Sequence, residues 1–112
     1  PEYLLEHPAE FAKELLMAYV SQNSLTAILF SGSQANHFAD SIECSIKQMV
    51  FEKYPDLAEH TTLNVMLSFC IQGSYHAYQK NREKDIVTVI DVIAGMTGAV
   101  QPMYEEILRQ RQ

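Results

Sequence analysis

The chain has 112 residues, 47% of them hydrophobic, with only four Gly and four Pro, a balance that fits one packed domain and excludes a disordered tail. Its formal net charge is −6, with eight Lys and Arg against fourteen Asp and Glu. So acidic a chain lacks the cations that bind a phosphate backbone, and we do not expect these residues to bind nucleic acid directly.

The N-terminal part of the chain predicts two helices after a short lead-in. Pro8 suits a first helical turn because its missing N–H needs no partner there. Apolar residues at helical spacing extend this first helix over residues 8–22. A shorter second helix is predicted over residues 25–31, with Ser24 as its N-cap and Gly32 at its end.

The cleanest amphipathic pattern in the chain predicts a third helix over residues 34–53. Asp40, Glu43 and Lys47 are expected to face water. The apolar positions fall on one stripe: Ala35, Phe38, Ala39, Ile42, Ile46, Met49 and Val50. Pro55 ends this helix, because the residue before a proline is pushed out of the helical region.

Residues 60–79 contain no Asp, Glu, Lys or Arg and form the centre of a helix predicted over residues 57–81. A helix that is neutral all round should be covered on more than one side. In so short a chain, a partner subunit is the natural cover. Two opposed seams run along it. One is expected to face the chain's own core: Leu63, Leu67, Cys70, Ser74 and Ala77. The other is polar but uncharged and suits an interface or a ligand cavity: Thr61, Val65, Ser68, Gln72, Tyr75 and Gln79.

A last apolar helix is predicted from Asp85, and Asp91 is the only charge in residues 86–104. Glycine inside a helix costs about 1 kcal/mol relative to Ala, so Gly95 and Gly98 indicate packing that needs close approach. Pro102 should kink or restart the helix. Since no stretch shows strand alternation, the sequence predicts a single all-α domain of five to six helices over residues 1–112.

No catalytic or metal-binding signature is present. The paired Glu-x-x-His motifs of a di-metal helical bundle are absent, and no two of the four histidines share a helix face within one turn. Cys44 and Cys70 are expected to pack as reduced thiols, which fits a cytoplasmic setting. We therefore expect neither an enzyme nor a cofactor nor a bound metal. The stretch at residues 60–79 is too polar for a membrane span, so no membrane is expected either.

Four segments follow one another in a characteristic order: LTAILFSG, a Phe-bearing amphipathic helix, YPDLAEHTTLNVMLSFCIQGSYHAYQKN, and an apolar last helix. Within the third segment, Pro55-Asp56-Leu57 is followed by a neutral Phe69-x-x-x-Gly73 core and a polar ending at Lys80-Asn81. This succession, over about Pro8 to Leu108, resembles the C-terminal regulatory half of the TetR family of bacterial transcription regulators.

The resemblance implies a domain whose last two long helices pair with their copies in a homodimer to form a four-helix bundle. The earlier helices and the penultimate one would enclose a cavity for a small-molecule effector. That effector, favouring one of two arrangements, would alter the DNA affinity of an N-terminal helix-turn-helix domain. That domain is absent from this chain, so DNA binding would belong to it. A cavity lined by Met and aromatic residues favours an apolar or weakly polar, uncharged effector.

On this resemblance, the effector contacts are expected to be Leu15, Tyr19, Phe38, Ile42, Met49, Met66, Phe69 and Cys70. The dimer interface is expected to include Val65, Gln72, Gly73, Tyr75, His76, Ile93, Met96 and Val100. Aromatic and Met side chains at helical spacing also make an ordinary core, so the pocket depends on whether the helices splay. The residues leave open which face of the neutral helix meets the partner.

A free-standing helical interaction module is the alternative function, in which the same neutral helices bind a different protein. A small helical enzyme or carrier would need a bound cofactor or metal. The effector, the operator and the direction of regulation are not encoded in any pattern of this chain.

Overall fold

A computed structural model describes the backbone of residues 2–29 and 33–111 and the side chains of residues 3–18 and 37–111. In these ranges the chain forms α-helices, one 3-10 turn and no strand, so the all-α prediction is confirmed. The six α-helices are α1 (Glu2–Glu6), α2 (Pro8–Leu29), α3 (Ser33–Lys53), α4 (Thr61–Asn81), α5 (Ile86–Gly98) and α6 (Gln101–Gln110).

The second predicted helix does not exist as a separate element. α2 continues through residues 22–25 to Leu29, because Asn23 and Ser24 cost a helix interior well under 1 kcal/mol each and neither removes a backbone donor as proline would. The predicted helix end at Gly32 lies outside the described residues. The lead-in also differs from the prediction, since residues 2–6 form the short helix α1.

The neutral helix begins later than predicted. Residues 55–57 form the 3-10 turn, and α4 starts at Thr61. His60 is its N-cap, with Nδ1 accepting a hydrogen bond of 3.2 Å from the backbone N–H of Leu63. Proline at the start of the turn favours this tighter local structure, and the N-cap satisfies one backbone donor at the true beginning of the helix.

The last predicted helix is divided at Ala99 and Val100, and α6 restarts with Pro102 in its first turn, as predicted. By length and composition, Ile86–Gln110 is apolar enough to cross a membrane, a property that core helices of soluble proteins share.

Two hydrophobic clusters hold the helices together. α2 packs along α5, α3 along α4, α1 against α6, and α4 and α5 lie side by side. The smaller cluster joins α2, α4 and α5 through Leu16, Tyr78, Ile90 and Ile93. The larger cluster joins α1, α3, α4 and α6: Leu4, Leu5, Ile46, Val50, Tyr54, Leu57, Leu63, Met66, Leu67, Tyr104 and Ile107. Of the core-facing seam predicted for α4, Leu63 and Leu67 are buried, and the other three residues are half-buried: Cys70, Ser74 and Ala77.

α2 and α5 approach each other closely at Gly98. A Cβ placed on Gly98 would lie 2.7 Å from the Cβ of Ala9, a distance that requires one of the two backbones to shift. The close approach expected at Gly98 is therefore present within the chain. A Cβ on Gly95 would meet nothing within 4 Å, so the packing among the described residues does not require a glycine at this position.

We predict that Gly98→Ala lowers the free energy of unfolding by about 1–3 kcal/mol, because the added methyl overpacks a contact between two helix backbones. Urea denaturation followed by circular dichroism measures this change. Adding Ala9→Gly, which removes the methyl on the other side, should recover most of the loss in a double-mutant cycle. A Gly98→Ala variant as stable as the wild type would contradict the close packing.

Candidate functional site

An apolar cavity of about 250 Å³ lies between α2, α3, α4 and the junction of α5 with α6. α2 contributes Phe11 and Leu15, and α3 contributes Phe38 and Ile42. α4 and the α5–α6 junction supply the polar atoms of the wall, from Cys70, Ser74, Tyr75, Thr97 and Tyr104. Among the described side chains that line it, none is Asp, Glu, Lys, Arg or His.

Half of the expected effector contacts line this cavity: Leu15, Phe38, Ile42 and Cys70. Tyr19 lies among the side chains that the structure does not describe. Met49, Met66 and Phe69 are not in the cavity wall. Met66 is buried in the larger cluster. Phe69 is 78% exposed, because it is one residue from Cys70 and so points about 100° away around α4. Met49 is exposed since Ile46 and Val50 take the buried line of α3.

Apart from Cys70, the polar members of the cavity wall were not predicted as ligand contacts. Ser74 falls on the core-facing seam of α4 and Thr97 on an apolar stripe of α5. A hydroxyl residue at a core position is the signal that could have identified both, because buried hydroxyls need hydrogen-bond partners. Here Thr97 Oγ1 donates to the carbonyl of Ile93 at 2.9 Å and lies 3.4 Å from Ser74 Oγ.

A second polar pair in the wall is formed by Cys70 and Tyr104, which are hydrogen-bonded to each other. Burial raises the pKa of both the Tyr104 hydroxyl and the Cys70 thiol. Both groups therefore stay protonated at neutral pH, and Cys70 lacks the thiolate character of a nucleophile. The cavity is uncharged as well as largely apolar.

A polar cluster joins α3 to α4 outside the cavity. Lys47 Nζ contacts Glu43 Oε2 at 2.8 Å and donates to Ser68 Oγ at 2.7 Å, and Ser68 donates to Glu43 at 2.6 Å. Gln72 Nε2 donates to Glu43 at 2.9 Å and to Asp40 at 2.7 Å. Asp40 is exposed as predicted, whereas Glu43 and Lys47 do not face open water. The neutral polar face of α4 offers them partners, which a pattern within one helix could not show.

The Glu43 carboxylate is held strongly in its ionised form. Its hydrogen bonds with Lys47 and Ser68 outweigh partial burial, and together with Gln72 they lower its pKa to about 2. This cluster thus stabilises the packing of the cavity-lining helix α3 against α4.

The opposite side of α4 and α5 is an exposed surface, which we call the α4–α5 face. It consists of exposed residues, none of them Asp, Glu, Lys or Arg: Thr62, Val65, Phe69, Gly73 and His76 of α4, Thr88, Val92, Gly95 and Met96 of α5, and Ala99 directly after α5. Phe69 is 78% and Met96 is 70% exposed. These positions recur every three or four residues, so each helix presents one continuous line.

The two lines lie on the same side of the helix pair. On α4, Gln72 faces α3 and Ser74 faces α5, which leaves the line through Phe69 open between them. On α5, Thr97 faces α4 while Gly98 contacts Ala9 of α2, and the line through Met96 lies between these contacts. Ser74 contacts Thr97 while Tyr78 packs with Ile90 and Ile93, so α4 and α5 run antiparallel. The two open lines therefore lie on neighbouring helices.

Half of the expected interface residues lie on the α4–α5 face: Val65, Gly73, His76 and Met96. Gln72 lies at its edge and is bonded to α3. Tyr75 is buried and belongs to the cavity wall, with its ring centroid 5.5 Å from that of Phe38. Ile93 is in the smaller cluster, and Val100 packs against the larger one. The side chains of Tyr75, Ile93 and Val100 therefore pack inside the chain.

In the part of the chain with described side chains, no three His, Cys, Asp or Glu side chains come together as metal ligands would. Comparison of the chain with protein-family models, with curated proteins and with solved structures finds no match in any of the three.

We predict that Glu43→Gln lowers the free energy of unfolding by about 1–2 kcal/mol at pH 7, because it removes the charge that Lys47 and Ser68 stabilise. A lowered folded-state pKa contributes stability above the unfolded value near 4.5, and that stability is lost as pH falls towards about 2. The difference between variant and wild type should therefore shrink over this range in urea titrations. Glu52→Gln, at an exposed position of the same helix, is the control. A difference independent of pH would contradict the role of the Glu43 charge.

Proposed function

We propose that the chain is the effector-sensing and dimerisation domain of a TetR-like transcription regulator that works in the cytoplasm without catalysing a reaction. The observation that supports this most is the double role of α4 and α5. One side of the pair lines an uncharged cavity, and the other side is the exposed α4–α5 face. A ligand and a partner would thus meet the same two helices from opposite sides.

A second copy of the chain is the proposed occupant of the α4–α5 face. Two antiparallel helices that meet their own copies across a two-fold axis make a four-helix bundle, and each subunit then contributes the same surface. Contiguous apolar patches on a protein surface mark interaction sites, and Val65, Phe69, Val92 and Met96 are each more than half exposed on this face. Gly73 and Gly95 lie on this face with nothing within 4 Å of an added Cβ, which leaves room for a partner's backbone to approach.

The mechanism follows from two-state coupling. A molecule in the cavity touches α4 and α5 at Ser74 and Thr97, so it favours whichever angle between these helices fits it better. A change in that angle alters the geometry of the bundle on the other side and, through it, the separation of the two DNA-binding domains. Differential affinity of about 1–3 kcal/mol is the usual size of such coupling. DNA would be bound by a helix-turn-helix outside these residues.

The alternative is a free-standing helical interaction module, in which the α4–α5 face binds a different protein. The extent of the uncharged face supports either partner. What favours the homodimeric regulator is the pairing of the face with an uncharged cavity, which an adaptor does not need. A helix-turn-helix encoded directly upstream would support the regulator, and its absence from the gene would favour the module.

We predict that Val92→Asp converts a dimer into a monomer, weakening self-association at least about 100-fold, because the two-fold interface would bury two carboxylates, one from each chain, without partners. Sedimentation equilibrium measures the dissociation constant. Val87→Asp is the matched control, since Val87 is 63% and Val92 56% exposed on the same helix while their side chains point about 140° apart. A wild-type chain that is monomeric at millimolar concentration would contradict the homodimer.

We further predict that Gly73→Leu weakens dimerisation without lowering the stability of the subunit. A Cβ at position 73 has open space inside the chain, so any loss must arise between subunits, where a leucine would hold the backbones apart. Size-exclusion chromatography with light scattering reports the first effect, and urea denaturation at a concentration below the dimer's dissociation constant reports the second. Unchanged dimerisation would show that the partner contacts another face.

A further inference from the structure

We infer that the cavity takes a neutral, largely apolar molecule with a single hydrogen-bonding oxygen, and that this oxygen binds at Ser74, beside Thr97, between α4 and α5. This inference rests on the proposed function, since it names the chemical class of the effector. It goes beyond a general preference for apolar ligands because it assigns a position and a partner to the ligand's polar atom.

The size of the cavity limits the ligand. Its volume of about 250 Å³ exceeds the about 150 Å³ of an apolar cavity that accepts benzene. A compact molecule with on the order of ten heavy atoms, such as a fused bicycle, is therefore the expected scale. Larger drug-like ligands occupy cavities of roughly 300 Å³ or more.

The walls exclude a charged ligand. No described side chain around the cavity can balance an ion, and the ionisable pair Cys70 and Tyr104 is kept protonated by burial. Glu43 and Lys47, the ion pair of the cavity-lining helix α3, are bonded to each other and to α4. An ion transferred from water into this site would lose its hydration without gaining a partner.

The polar atoms of the wall differ in how well they are already bonded. Cys70 and Tyr104 bond each other, and the Tyr75 hydroxyl accepts a hydrogen bond from Gln79 at 2.9 Å. The Thr97 hydroxyl donates its hydrogen bond to the carbonyl oxygen of Ile93. The partner of Ser74 among the described residues is Thr97 Oγ1, at a long 3.4 Å.

The Ser74 hydroxyl can therefore turn to a ligand oxygen at little cost. A 3.4 Å contact is at the weak end for two hydroxyl oxygens, whose bonds are typically 2.5–3.0 Å. Since Thr97 lies on α5 and Ser74 on α4, a ligand oxygen bound here would contact both helices of the proposed bundle. The apolar remainder would lie against Leu15, Phe38 and Ile42.

Three naphthalene probes test this inference on the full chain by isothermal titration: 2-naphthol, naphthalene and the anion 2-naphthoate. We expect 2-naphthol to bind about five-fold more tightly than naphthalene, as one net hydrogen bond provides, and 2-naphthoate to bind at least about 100-fold more weakly than 2-naphthol. Ser74→Ala should reduce the ratio of the 2-naphthol and naphthalene affinities to about one. If Ser74→Ala does not fold, Thr97→Val removes the neighbouring hydroxyl and tests the same position.

Leu15→Trp and Met17→Trp locate the binding. Leu15 lines the cavity and is 38% exposed, whereas Met17, two residues away on α2, is 54% exposed and does not line it. Leu15→Trp should fill part of the cavity and weaken 2-naphthol binding at least about ten-fold, and Met17→Trp should leave it unchanged.

The outcomes separate this inference from the proposed function. Naphthoate binding as tightly as naphthol would overturn the ligand class while leaving an effector cavity in place. An unchanged naphthol preference in both Ser74→Ala and Thr97→Val would overturn the assignment of the oxygen. If none of the three probes bound, the cavity would not be a ligand site, and the effector-sensing part of the proposed function would fail with it.

Discussion

The absence of charge along α4 and α5 is the constraint on which this structure depends. A helix in water normally keeps charged side chains on its wet side, and these two helices have almost none to place there. The chain covers part of their surface with its own α2 and α3, which produces the interhelical cavity. What it leaves uncovered is the α4–α5 face, whose apolar side chains are exposed.

Polar contacts of α4 with α3 and α5 determine how these helices pack together. Ser68 and Gln72 on α4 bond the charged residues of α3, and Ser74 meets Thr97 across the seam with α5. The seam with α3 gives the Ser68 hydroxyl and the Gln72 amide short hydrogen bonds, whereas the Ser74–Thr97 contact across the seam with α5 is long, at 3.4 Å. These contacts also orient α4, so that Phe69 is left outward and Cys70 inward. The orientation of α4 about its own axis thus decides both which side chains line the cavity and which form the exposed face.

Helix content and most helix limits could be predicted from local patterns, because a helix is stabilised largely by contacts within one stretch of chain. Pro102 and the amphipathic stripe of α3 are examples. The break in the helix expected at Ser24 was wrong, because a residue of weak helix propensity does not end a helix by itself. Only half of the predicted effector contacts line the cavity: Leu15, Phe38, Ile42 and Cys70. Met49 and Phe69 are also apolar, but their side chains point away from it.

The sequence by itself determined that the protein is all-helical and that two of its helices carry too little charge to face water alone. Periodicity carries this information because it depends only on neighbours three and four residues apart. Only the tertiary structure decided which neutral side chain faces which neighbour: that Gly98 rather than Gly95 meets α2, that Tyr75 is enclosed, and that Ser74 and Thr97 share one cavity. Those positions depend on how helices distant in sequence rotate against one another, and no pattern within a single helix encodes that rotation.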